Sequence, residues 1–245
     1  SQIYMTLPQS NIVYTPQNTA EETGKYISDI LALHIDKPIL LLLAGGSSVK
    51  VLDYIKPEYL HDQITVTVTD ERFTDDIGDN NFDTLQTTSF YNELIQIDAF
   101  CINTSVWEGD TVEGHAARFE KNIKEWMKDF PKGIIIGLYG MGADGHTAGI
   151  IPGVYQGEEF NKKFNTEDTY IAITDDKRST ADFPLRVTTT LSFMKKVQYP
   201  IFYITGQNKV DALKKALDEK VSYEEMPARV ILDMQKPMIF TDIQL

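Results

Sequence analysis

The chain has 245 residues, 42% apolar and 24% charged, which is ordinary globular usage with room for a sizeable core and excludes a disordered polar chain. Its formal net charge of -13, from 23 Lys and Arg against 36 Asp and Glu, disfavours nucleic acid and anionic membranes as partners. The one cysteine, Cys101, excludes an intrachain disulfide and suits a reducing cytosol, and no apolar run approaches the roughly 20 residues of a membrane span.

The N-terminus shows no basic region followed by an apolar stretch, so no secretory signal is expected. The first element is a helix over 18–35, opening at Asn18 or Thr19 with Glu21 and Glu22 in its first turn. Ile27, Ile30, Leu31 and Ile35 recur at helical spacing. Residues 38–44 (PILLLLA) read as a fully buried strand, followed by a helix over 47–55. The β-branched run 64–69 (ITVTVT) is a second strand, and helices are expected over 82–94 and 111–128. Strands follow at 133–138 (GIIIGL), 170–173 (YIAI), 200–205 (PIFYIT) and 237–240 (PMIF), with a helix over 208–217 before the last. Residues 153–168 are polar and irregular. They read as a surface excursion, either beside a site or merely exposed.

Strands alternating with helices predict a single α/β domain over 1–245, a three-layer sandwich with a mostly parallel, doubly wound sheet. Ligands of such sheets bind at the carboxyl ends of the strands. Three predicted strands run straight into unusual polar sequences there. The turn Ala44-Gly45-Gly46-Ser47-Ser48 lets backbone approach a ligand closely, and free amides at a helix start attract an anion; the same five residues equally make a plain turn and helix start. Asp70-Glu71-Arg72 is followed by Asp79-Asn80-Asn81. Arg72 offers a planar fork for phosphate or carboxylate, with Asp70 or Glu71 to hold it; the alternative is a solvated loop with a surface ion pair, and Asn80 could serve only as a helix cap.

Residues 140–153 (GMGADGHTAGIIPG) are the most informative. Five glycines surround two reactive side chains, Asp144 and His146. Histidine titrates near neutral pH without tuning and suits a general base. Asp144, two residues earlier, can fix the imidazole tautomer or bind substrate hydroxyls; the alternative is a turn whose His146 is merely exposed. His34, His61 and His115 lack such company and read as structural or exposed. One His and one Asp without a Cys pair, HExxH or His cluster leave too few ligands for a metal. Neither a P-loop nor a dinucleotide fingerprint is present. Further cations follow at Lys177, Arg178, Arg186 and Lys209. An ordinary surface charge is the expectation for Arg178, and the role of Lys177 is open. Because the chain is acidic overall, cations serving an anionic ligand must be gathered locally.

With these motifs in order, the chain resembles the 6-phosphogluconolactonase family. DGHTAGIIPG at 144–153 is similar to its Asp-Gly-His-Thr-Ala-Ser-Leu-Phe-Pro-Gly signature, and AGGSS to its Ser-Gly-Gly-Ser-Thr-Pro turn. Asp70-Glu71-Arg72 with Asn80-Asn81 resembles its Asp-Glu-Arg and Ser-Asn. RVTTT at 186–190 resembles Arg-Ile-Thr-Leu-Thr, and GQNK at 206–209 resembles Gly-Glu-Glu-Lys. The matches span most of the chain, from Gly45 to Lys209. Departures include Ala44, Val49, Asn80, Gly149 and Ile150-Ile151; Lys195-Lys196 and the stretch after Gly153 have no counterpart.

The resemblance implies a Rossmann-like sandwich and cytosolic hydrolysis of 6-phosphoglucono-δ-lactone in the pentose phosphate pathway, without metal or cofactor. It implies His146 as the base activating water, assisted by Asp144. Gly45, Gly46, Ser47, Arg72, Asn81, Arg186 and Lys209 would hold the sugar phosphate. A glucosamine-6-phosphate deaminase, the nearest alternative, carries a Glu where this chain has 149–153 (GIIPG) without a carboxylate. A non-catalytic sugar-phosphate sensor would keep the phosphate ligands and could dispense with His146.

Overall fold

The computed structural model describes residues 7–76, 78–178 and 182–245; the N-terminal six residues, included in the reading against a secretory signal, lie outside them. In chain order the elements are β1 (Ile12–Tyr14), α1 (Thr19–Leu33), β2 (Ile39–Leu43), β3 (Ile64–Val68), β4 (Asp70–Arg72), α2 (Asn81–Gln86), α3 (Ser89–Gln96), β5 (Phe100–Cys101), α4 (Val112–Asp129) and β6 (Ile134–Tyr139). There follow α5 (Gly157–Phe164), β7 (Ile171–Asp175), β8 (Leu185–Thr189), α6 (Leu191–Met194), β9 (Tyr199–Ile204), α7 (Val210–Ala216) and β10 (Met238–Thr241).

A seven-stranded sheet runs β1-β10-β9-β6-β2-β3-β5, and every pairing in it is parallel. β2 (ILLLL) is buried at every position, as a strand covered on both faces must be. From β2 the chain steps outward through β3 to β5, then returns to β6 on the other side of β2 and steps outward through β9 to β10. The winding therefore reverses between β2 and β6, and a crevice opens at their carboxyl ends. Helices flank the sheet; α1 packs against β9, β10 and the 3₁₀ helix Gly46–Tyr54. The mostly parallel, doubly wound α/β architecture is as expected from the alternation of elements.

Four expectations are corrected. The stretch at 170–173 is a strand but not one of the parallel sheet: β7 pairs antiparallel with β8, and β8 with β4, in a separate three-stranded sheet. Residues 153–168 are not irregular, since α5 lies within them and buries Phe160 and Phe164; its two aromatic residues four apart form the apolar stripe, in a segment whose many polar residues hide it. The helix expected over 82–94 is two, broken after Gln86, where the Thr88 hydroxyl accepts from the Tyr91 amide and starts α3. The helix expected over 47–55 is a 3₁₀ helix, Gly46–Tyr54.

Candidate active site

The three polar strand ends converge. Ala44–Ser48 leaves β2, Gly140–His146 leaves β6, and β4 continues from β3 after Thr69. A cleft of about 210 Å³ lies between them. Gly45, Gly46, Ser47, Arg72, Asn81, His146, Arg186 and Lys209 line it. Asp144 lies in the adjoining recess, which shares Arg72, His146 and Arg186 with the cleft. All nine expected site residues are thus brought to one place.

The Gly-rich loop is shaped around His146. Gly142 donates its amide to the His146 carbonyl at 3.0 Å, and the Gly145 amide bonds the Gly142 carbonyl at 3.0 Å. A Cβ on Gly142 would collide with the imidazole ring. Gly145 has φ of +89° and packs against Met226 so closely that a side chain there would meet its sulfur. The Thr147 hydroxyl holds the Gly140 carbonyl at 2.9 Å, and Gly149 donates to the Thr188 hydroxyl at 2.9 Å. The backbone of this loop is therefore anchored at both ends of the reactive pair.

His146 Nδ1 and Asp144 Oδ1 are 2.6 Å apart, and the same oxygen accepts the His146 amide at 3.0 Å. Partial burial alone would raise the Asp144 carboxyl, but the hydrogen bonds and charge of His146 outweigh it and hold it below its usual range. An ionised Asp144 accepts from Nδ1–H and leaves the lone pair on Nε2.

The cations are distributed unevenly. Of the five arginines in the chain, Arg118, Arg178 and Arg229 pair with Asp110, Asp176 and Asp233. Arg72 and Arg186 have no such partner among the described residues, although they stand directly opposite each other in the β4–β8 register. Like charges opposed across a sheet destabilise it unless an anion sits between them. Lys209 follows Gly206 (φ +108°) at the start of the last helical segment; burial lowers its ammonium, and Asp242 opposes that shift. Gly45 packs directly against Asn81, where any Cβ would strike the Asn81 amide group.

Asp70 and Glu71 do not hold Arg72, contrary to the expectation for one of them. Asp70 is 6% exposed; it lines the cleft and accepts from the Thr69 hydroxyl at 2.8 Å. Glu71 is fully buried and accepts from the amides of Arg72 (3.0 Å), Asn81 (2.5 Å) and Phe82 (3.0 Å) and from the Thr104 hydroxyl (2.6 Å). Burial pushes its carboxyl up to about 7, although these donors favour the anion and oppose the shift. Asn80 is more than a cap: its side chain bonds the Arg72 and Thr74 carbonyls at 2.8 and 3.0 Å. Arg178 spends its fork on Asp176, and Lys177 lies exposed, 3.8 Å from Asp175. His115 and His34 are structural, bonding the Thr104 carbonyl and the Tyr199 hydroxyl. Phe183, whose ring lies 4.3 Å under the Arg72 guanidinium, carried no signal in the sequence, because nothing in a linear motif marks a partner more than 100 residues away.

The profile of a family described as glucosamine-6-phosphate isomerases/6-phosphogluconolactonase matches residues 14–240. Over 98 residues the chain is 31% identical to a 6-phosphogluconolactonase of Xylella fastidiosa, covering 40% of this chain and 39% of that protein. Over 231 residues it is 29% identical to a probable chloroplastic 6-phosphogluconolactonase 4 of Oryza sativa subsp. indica, covering 86% of this chain and 66% of that one. The chain thus spans less than two thirds of the length of each of these relatives. The fold matches that of a 6-phosphogluconolactonase from Shewanella baltica, with a TM-score of 0.72, 22% identity and 94% of each chain covered.

Proposed function

The chain belongs to the glucosamine-6-phosphate isomerase/6-phosphogluconolactonase family, and we propose that within it the protein is a 6-phosphogluconolactonase, with His146 as general base. The observation that carries this reading is a histidine oriented by a carboxylate, at a strand-end crevice that also holds a lysine and two arginines with no salt-bridge partner among the described residues. In the reaction, Nε2 of His146 takes a proton from water as its oxygen attacks the lactone carbonyl carbon. The tetrahedral intermediate carries its charge on the former carbonyl oxygen, which amides of the glycine-rich strand ends can stabilise. Collapse breaks the bond to the ring oxygen, and the imidazolium returns its proton there, giving the open hydroxy acid. Arg72, Arg186 and Lys209 hold the phosphate, while Gly45, Gly46, Ser47 and Asn81 receive the sugar.

The deaminase alternative lacks support at its distinctive position. Residues 149–153 carry no carboxylate, and Ile150 is fully buried, so that stretch serves packing. A cytosolic setting in the pentose phosphate pathway accompanies the lactonase reading; the free thiol of Cys101 is compatible with it. The test is direct: purified protein should speed acid release from freshly prepared 6-phosphogluconolactone above the spontaneous rate. No acceleration at micromolar enzyme sinks the assignment.

A further inference from the structure

We infer that Phe183 is a positioning residue that keeps Arg72 and Arg186 poised as a phosphate clamp that no salt bridge among the described residues ties up. The inference rests on the lactonase reading for its substrate but not for its geometry. Arg72 and Arg186 are cross-strand neighbours, and the five-arginine contrast is physical: the three arginines outside the clamp pair are pinned by aspartates. A carboxylate would pin Arg72 too, but it would consume N–H donors and cancel charge. An aromatic face does neither. It contacts the flat side of the guanidinium, whose donors all lie in the plane and point away from its edge. The Phe183 ring centroid is 4.3 Å from the Arg72 guanidinium carbon, and the Phe183 carbonyl accepts from Arg186 Nε at 3.1 Å. One residue therefore touches both cations, leaving the terminal nitrogens of Arg186 and the edge donors of Arg72 for an anion.

The segment is stiff enough for the purpose. Pro184 restricts the backbone of Phe183 to extended conformations, and the Pro184 carbonyl accepts the Asp176 amide at 2.7 Å. The next residue is held as well: the Phe73 amide bonds the Leu185 carbonyl at 2.9 Å. Phe183 thus immediately precedes a bonded pair of residues that extends the β7–β8 ladder by one step.

Binding of inorganic phosphate and of 6-phosphogluconate by calorimetry tests this without reference to turnover. Phe183→Leu keeps apolar bulk but loses the π face, and its Kd for both ligands should rise by about threefold to thirtyfold, the range of a cation–π contact. Phe183→Tyr should bind within about twofold of the wild-type protein. In an Arg72→Ala background, Phe183→Leu should add no further loss, which a merely structural role would not produce. In the lactonase assay the Leu variant should raise KM for the phosphorylated lactone while kcat, and turnover of unphosphorylated gluconolactone, stay unchanged. Wild-type affinity in the Leu variant, an equal loss in the Tyr variant, or an undiminished loss in the Arg72→Ala background overturns the proposal; so does failure of the wild-type protein to bind phosphate at millimolar concentration. If the wild-type protein binds phosphate and Phe183 behaves as described but no lactone is hydrolysed, the catalytic reading falls and the clamp stands.

Discussion

His146 has a neighbourhood that serves orientation more than packing. Its ring is beside Gly142 and bonded to Asp144, and its side chain remains 39% exposed. His146→Ala should therefore fold and still bind 6-phosphogluconate, while kcat falls by roughly 10²–10⁴, the range for loss of a general base. A folded, ligand-binding variant with near-wild-type turnover would refute the mechanism. In the proposed reaction the cations act on a different part of the substrate. Arg186→Ala and Lys209→Ala should each raise KM for the phosphorylated lactone about tenfold to hundredfold, as expected for a charge-assisted hydrogen bond of roughly 1.5–3 kcal/mol. Steady-state kinetics with unphosphorylated gluconolactone supply the control, and an equal loss on both substrates would assign these side chains another role.

At the scale of elements, the cleft depends on a buried carboxylate that faces away from it. Glu71, in β4, gathers the first amides of α2 and its own neighbour's amide, so one side chain fixes the strand bearing Arg72 to the helix bearing Asn81. Thr104 completes its shell, and His115 bonds the Thr104 carbonyl behind it. Burial raises Glu71 from its ordinary value of 4.5 to about 7, so the native state binds the proton more tightly than the unfolded chain. Its contribution is then fully present below about pH 4.5 and is lost as pH climbs through 7, a loss on the order of 3 kcal/mol. Denaturant melts from pH 4 to 8 should show that decline in the wild-type protein relative to Glu71→Gln, which cannot titrate. Parallel pH profiles for the two proteins would show that the anion is not penalised in the fold.

For the molecule as a whole, the proposed reading has an acidic chain bind an anionic ligand by concentrating cations at the reversal of its sheet. Arg72 and Arg186, which have no aspartate salt-bridge partner among the described residues, and Lys209 all reach that crevice. Among the described residues no group of three or more His, Cys, Asp and Glu is placed to hold a metal ion. Lactone hydrolysis should accordingly survive prolonged EDTA treatment. Loss of activity with chelator that a divalent ion restores would require a metal in the mechanism. No helix among the described residues is long and apolar enough to cross a membrane.

Much of this was legible along the chain because its signals are local. Buried strands such as ILLLL at 39–43 announce themselves by composition, and a reactive pair two residues apart in a glycine-rich loop needs no distant partner to be noticed. Alternating strands and helices predict a doubly wound sheet, and the observed strand order places its reversal between β2 and β6. What only the tertiary structure decided depends on long-range pairing. β4 and β8 are short and polar, and they become strands because each satisfies the other's backbone across more than 100 residues. Glu71 reads as a surface charge until the fold brings the Asn81 and Phe82 amides and the Thr104 hydroxyl around it. Arg72 and Arg178 each follow acidic residues in sequence, yet Arg178 pairs with its near neighbour Asp176 while the fold sets the distant Phe183 ring against Arg72. The physical reason is common to β4, Glu71 and Arg72: a polar group's role is set by the partner that replaces its water, and for these that partner is distant in sequence.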